Sequence, residues 1–134
     1  MIYVMDSSAL IALVEDEPGA GLVEALLGSG TDTCLVHAVN LCEAYYDFVR
    51  ASDVDRADRL IAGLIDTGLI IREDMDAAFW QRAGLRKANI KRVSLADCFC
   101  MALADRLDAE IVTADHHEFD AVVEQGLCRA TFIR

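Results

Sequence analysis

Short apolar runs alternate along this chain with longer stretches in which apolar residues recur every three or four positions. The first run, Ile2-Tyr3-Val4-Met5, is rich in strand formers and stops at Asp6-Ser7-Ser8, a favourable helix entry. An apolar helix is expected over residues 9–14. Glu15-Asp16-Glu17-Pro18-Gly19 interrupts it, and helical spacing resumes over residues 20–27 until Gly28-Ser29-Gly30 ends it. Residues 33–36 predict a second strand, followed by a helical hairpin over residues 38–50 and 54–65. Leu69-Ile70-Ile71 predicts a third strand and residues 74–87 a helix. Ser94-Leu95-Ala96-Asp97 has the capping-box pattern that opens a helix running to Leu107. Glu110-Ile111-Val112-Thr113 predicts the fourth strand and Thr131-Phe132-Ile133 a fifth. Such alternation predicts an α/β/α sandwich with a mainly parallel sheet of four to five strands.

Composition narrows the reading. At 134 residues and 54% hydrophobic content, the chain can bury one core, so residues 1–134 are expected to form a single domain. No stretch is low in complexity. The apolar runs fall well short of the roughly 20 residues that span a bilayer, and Met1–Met5 carry no basic leader, so the expectation is a cytoplasmic protein with no membrane contact. The five cysteines are odd in number and never in Cys-x-x-Cys spacing, which reads as reduced core residues rather than disulfides or a zinc site.

A formal charge of −11 excludes indiscriminate adhesion to nucleic acid, which depends on Lys and Arg neutralising phosphates. Any such contact must be local. Between Arg82 and Arg92 stand five basic residues and no acidic one: Arg82, Arg86, Lys87, Lys91 and Arg92. They read either as a track for a nucleic-acid backbone or as a solvated helix face, with the need of an otherwise acidic chain for a positive approach surface favouring the first. Tyr45, Tyr46, Phe48, Phe79 and Trp80 read as packing or subunit contacts before base-stacking platforms.

In open α/β sheets ligands bind beyond the carboxyl ends of the strands. Asp6 directly follows the first strand, Asp115 follows the fourth by one residue, and Asp97 lies in the first turn of its helix. Glu43 lies early in the helix after the second strand, sharing a face with Asn40 and Asp47. Four elements can thus direct carboxylates at one rim. Each acid has a plainer alternative: Asp6 or Asp97 as a helix-end residue, Glu43 as a solvated position, Asp115 as a turn residue. Carboxylates gathered together repel one another unless a cation neutralises them. An all-oxygen donor set selects magnesium or manganese, and such ions support phosphodiester hydrolysis without a Ser, Cys or His nucleophile. The adjacent His116 and His117 read as loop residues rather than ligands.

At these positions the sequence resembles the PIN-domain family and, within it, VapC-like toxins of toxin–antitoxin pairs. The likeness runs nearly end to end. It rests on Val4-Met5-Asp6-Ser7-Ser8-Ala9-Leu10, Ala38-Val39-Asn40-Leu41-Cys42-Glu43, Ser94-Leu95-Ala96-Asp97-Cys98 and Thr113-Ala114-Asp115-His116-His117-Glu118-Phe119. The resemblance implies a PIN fold and RNA cleavage that depends on one or two Mg2+ or Mn2+ ions. It also implies a homodimer and a cognate antitoxin whose tail covers the active site. Asp6, Glu43 and Asp97 match the three central acids and Asp115 the fourth, more variable one. Ser7 and Thr113 match hydroxyl residues that support the metal site, and Asn40 is assigned a supporting role behind the ligands.

The alternative is a PIN module that docks metal-dependently on RNA or protein without cutting. Other domains with an acid after the first strand fit poorly. A phosphatase wants a second Asp where Ser8 stands, a signalling receiver wants a late lysine, and no Gly-rich phosphate loop is present.

Overall fold

A computed structural model describes residues 1–134. The chain runs β1 (Ile2–Met5), α1 (Ser7–Val14), α2 (Ala20–Leu27), β2 (Thr33–His37), α3 (Ala38–Ala51), α4 (Val54–Asp66) and β3 (Ile70–Arg72). It continues through α5 (Ala77–Asn89), α6 (Leu95–Leu107), β4 (Glu110–Thr113), α7 (His116–Glu124) and β5 (Ala130–Phe132). The five strands form one sheet in the order β3-β2-β1-β4-β5, parallel at every pairing. This is the expected α/β architecture. No helix is long and apolar enough to cross a membrane.

Strand residues alternate between two cores because side chains on a strand point to opposite faces in turn. Met5, Val36 and Val112 face a cluster built with α1 to α4. Their neighbours Val4 and Ile111 face a second cluster built with α5, α6 and α7. Of the five cysteines expected in the core, Cys34, Cys98 and Cys100 are buried there as reduced side chains, whereas Cys128 is half-buried and Cys42 is exposed on α3.

Two boundaries depart from the sequence pattern. The helix expected from residue 74 begins at Ala77, because Arg72 and Arg106 both hold the Asp74 carboxylate in the preceding loop. His116 and His117 lie not in a loop but in the first turn of α7, whose first turn Asp115 caps by accepting from the Glu118 N–H at 3.0 Å. The motif Asp115-His116-His117-Glu118 was therefore a helix start.

The chain leaves β1 towards β2 and β3 on one side and returns to β4 and β5 on the other. The carboxyl ends of β1 and β4 thus flank the topological switch point, where a crevice must open because the two connections diverge. The Asp6 N–H, bonded to the Val112 carbonyl at 2.9 Å, ties the two strand ends together.

His37 locks the next strand end. Its Nδ1 accepts from the Val39 N–H at 3.1 Å, so its Nε2 carries the proton and donates to the Asp74 carbonyl at 2.9 Å. The ring is fully buried, stacked on Phe79 at 5.0 Å and on Phe99 at 5.3 Å. One imidazole therefore joins α3 to α5 and α6. His37→Phe preserves the stacking and strands two backbone groups, so it is expected to lower unfolding stability by about 2–4 kcal/mol. Urea unfolding checks this, the midpoint falling with the slope unchanged; an unchanged midpoint would show that the polar contacts are dispensable.

Candidate active site

Asp6 occupies the N-cap position of α1 yet makes no side-chain cap. Its carboxylate turns instead into the switch-point crevice, where Oδ2 accepts from Ser8 Oγ at 2.7 Å and from Thr113 Oγ1 at 2.9 Å. Both hydroxyl protons are thereby used. Each hydroxyl oxygen in turn accepts a backbone N–H, Ala114 to Ser8 and Asp115 to Thr113. The β4 carboxyl end is thus fastened to Asp6 through two hydroxyls that each donate to the carboxylate and accept from the backbone. Asp6 Oδ1, which is buried, has no partner at all.

Asp97 enters from α6. The capping residue Ser94 accepts from the Asp97 N–H at 3.1 Å, but the reciprocal half of a capping box is made by another residue. The Ser94 N–H donates to Glu118 Oε2 at 3.0 Å. Glu118, one turn into α7, has displaced Asp97 from that duty and left its carboxylate for the crevice. Carboxylate oxygens of Asp97, Asp115 and Glu118 lie within 4.8 Å of one another. Sequence reasoning missed Glu118 because the residues around it read as a loop. Once α7 is seen, its spacing of three from Asp115 places both on one face.

Glu43 reaches the same region from α3, its buried Oε1 also without a partner. Asn40, one turn earlier, is fully buried and donates from Nδ2 to the Ala96 carbonyl at 3.1 Å, joining α3 to the first turn of α6. Its Oδ1 is likewise unpartnered.

The electrostatics follow from burial. Desolvation raises the Asp6 pKa despite the hydroxyls that oppose it. Desolvation and then the Asp6 charge push Asp97 up to about 9. Glu43 is raised by desolvation and then by Asp6 and Glu118, with the Ser7 hydroxyl opposing. Acids that respond to one another in this way share one low-dielectric space.

The structure therefore brings Asp6, Glu43, Asp97 and Asp115 to one rim, with Thr113 and Asn40 behind them. Ser7 is the hydroxyl beside Glu43, while Ser8, which sequence reasoning passed over, holds Asp6. Its position two residues beyond Asp6, at a helix start, was the available signal. The basic segment is not brought to this rim as a unit. Arg82 and Arg86 both bind Asp105 near the far end of α6, and Lys87 donates to the Lys91 carbonyl. Arg92 alone of the five lines a cavity with His116 and His117. Both ring nitrogens of His116 are engaged, with Asp120 at 2.8 Å and the Arg134 carbonyl at 2.7 Å, so it is not available as a ligand.

The residues present suit a hard divalent cation. Buried acceptor oxygens on Asp6, Asn40 and Glu43 lack donors, and several carboxylates are destabilised in their charged form by a common cause. A cation relieves both conditions at once, and an all-oxygen set favours hard cations over softer metals.

Comparison with known proteins identifies the fold and the family. The PIN domain profile matches residues 3–125. No curated protein matches the chain by sequence. Solved structures of similar shape include VapBC2 from Rickettsia felis bound to a promoter DNA fragment, at 13% identity and TM-score 0.77, covering 98% of both chains. DNA-bound VapBC from Salmonella typhimurium superposes at 17% identity and TM-score 0.75, covering 100% of this chain and 99% of the other. VapC20 from Mycobacterium tuberculosis, described as a sarcin-ricin loop cleaving toxin, superposes at 18% identity and TM-score 0.72, covering 91% and 95%. At such identities the likeness to these toxins is one of fold, and the profile match carries the family: this chain belongs to the PIN-domain family.

Proposed function

We propose that this chain is a cytoplasmic, metal-dependent ribonuclease and the toxin of a toxin–antitoxin pair, with Asp6, Glu43, Asp97 and Asp115 as its catalytic acids. The observation that carries this reading is the set of unpartnered acceptor oxygens within a carboxylate cluster at the switch point. Asp6, Glu43, Asp97 and Asp115, joined by Glu118, would hold one or two Mg2+ or Mn2+ ions. When bound, such ions polarise the scissile phosphate, acidify water and stabilise the departing oxyanion.

The remaining chemistry lies with the chain itself. Ser8 and Thr113 pin Asp6 Oδ2, so that Oδ1 is the free oxygen. Glu118 relieves Asp97 of capping. Asn40 holds the first turn of α6 against α3, setting the separation between Glu43 and Asp97. VapBC complexes of the same fold support an antitoxin partner. A cavity of about 530 Å3 between α3 and α4, lined mostly by apolar side chains including Leu41, Tyr45 and Ile61, suits such a partner because α3 also carries Glu43. A homodimer is the family expectation retained here.

Cleavage of a labelled cellular RNA pool tests the assignment. The native chain is expected to cut only with magnesium or manganese, and Asp6→Asn and Asp97→Asn are expected to abolish cutting while remaining folded. Thr113→Val, which frees Asp6 to turn, is expected to lose activity by about 10- to 100-fold. A native chain that binds metal yet cuts no RNA would instead identify a non-cleaving binding module.

The pKa shifts predict a distinctive stability profile. Asp6 and Asp97 both have folded-state values raised above those of the unfolded chain, and for Asp97, pushed up to about 9, the native state holds a proton that the unfolded state releases once the pH passes about 3.8. Metal-free protein is therefore expected to lose stability as pH rises between these two values, the gain at low pH being complete below the unfolded value near 3.8. Magnesium or manganese should flatten the profile. Melting temperatures taken across pH with chelator and with metal read this directly, and a metal-free protein that grows more stable from pH 5 to pH 8 would contradict the buried cluster.

A further inference from the structure

The arginines that the rim does not use are gathered elsewhere. Arg82 and Arg86, one turn apart on α5, converge on the single carboxylate of Asp105 on α6. Two cations share one anion, leaving a net positive charge on a chain that is otherwise strongly acidic. The contacts are also incomplete. Arg82 uses only Nε and Arg86 only Nε and Nη2, so both Nη nitrogens of Arg82 and Nη1 of Arg86 have no partner within the protein. The Arg86 side chain is 10% exposed and fixed by three bonds, whereas that of Arg82 is 57% exposed.

These groups wall a cavity of about 690 Å3 between α5, α6 and the turn after α7, a size that accepts a small organic ligand. Asn89 and Gln125 add amides, and Leu85, Ile90 and Leu127 add apolar surface. Fixed guanidinium edges match phosphate oxygens. Aliphatic walls beside amides match the face and edge of a nucleobase. The cavity is also suitably placed: α6 carries Asp97 in its first turn and Asp105 in its last, about 12 Å apart along the helix.

We propose that this cavity binds one nucleotide of a single-stranded RNA away from the acidic rim, its phosphate on the free edges of Arg82 and Arg86 and its base against Leu85, Ile90 and Leu127. The ribonuclease reading supplies the strand, and the contact itself is independent of cutting. A strand engaged at both ends of α6 is held in one direction, so this cavity sets which phosphodiester reaches the acids.

Binding of a fluorescein-labelled RNA strand of about 12 nucleotides to the full chain, followed by anisotropy in chelator over a range of salt, tests the contact without cleavage. Arg82→Ala leaves the Arg86–Asp105 pair intact and is expected to weaken binding about tenfold, reducing the log–log salt slope by about 0.7 for the lost phosphate. Arg59→Ala, the same charge change on exposed α4, should alter neither quantity. Gln125→Glu, which places a negative charge in the cavity without touching the pair, should weaken binding as Arg82→Ala does. Equal effects from Arg82→Ala and Arg59→Ala, or none from Arg82→Ala and Gln125→Glu, would overturn the site. Displacement of the strand by micromolar adenosine monophosphate would overturn it as a strand contact, assigning it to a free nucleotide. Loss of cleavage in the native chain with these binding effects intact would sink the nuclease reading alone.

Discussion

Asp6 governs the arrangement of the site because its carboxylate is buried at the point where two strands diverge. A charge in that position is unfavourable unless something offsets the lost hydration. Ser8 and Thr113 supply two hydroxyl hydrogen bonds to one oxygen and nothing to the other. The consequences spread outward. Thr113 and Ser8 pass their acceptor capacity to the backbone after β4, fixing where Asp115 and α7 begin. Burial first, and then the Asp6 charge, raises Glu43 and Asp97. The site is therefore built as a crowded set of acceptors that is neutral only while buried acids such as Asp97 keep their protons, and a cation that displaces those protons relieves the crowding.

The frame around that charge is hydrophobic and follows from the alternation of the strands. Because Val4 and Met5 point into different cores, β1 is clamped from both faces and its carboxyl end cannot drift. His37 does the same for β2, its ring held between Phe79 and Phe99 with both nitrogens bonded. Two strand ends are thus immobilised by different means, one by packing and one by a buried polar ring. The helices that leave them carry Ser8 and Glu43 into fixed positions. This rigidity matters because catalytic and metal-binding groups tolerate little misplacement.

Much of this was legible in the residue pattern, for identifiable reasons. Strands β1 and β4 are short apolar runs with an acid or a hydroxyl at the carboxyl end, so the positions of Asp6, Thr113 and Asp115 relative to the sheet follow from the parallel topology alone. The start of α6 was marked by Ser94. What escaped depended on contacts between distant segments. The start of α5 moved because Arg106, some thirty residues away in sequence, holds Asp74 and Asp76. Helix α7 is short and opens on two histidines, which carry no apolar periodicity. The choice of Ser8 over Ser7 as the hydroxyl on Asp6 depends on which faces β4, a matter of helix phase. The division of the basic segment depended on Asp105, whose partners no local pattern names.

That division also bears on how the proposed ribonuclease, strongly acidic overall, would engage RNA. Long-range attraction is absent at a net charge of −11, so binding must rest on local contacts whose geometry is already paid for by folding. Arg86, three times bonded and nearly buried, has lost its rotamer freedom before any ligand arrives. Asp105 is then not merely a quencher of positive charge. It fixes the plane of one guanidinium and the direction of another, trading part of their attraction for a defined orientation. In a chain that repels the phosphate backbone over most of its surface, a few oriented cations discriminate between strand positions better than a diffuse basic face would, because every misplaced phosphate meets carboxylates instead.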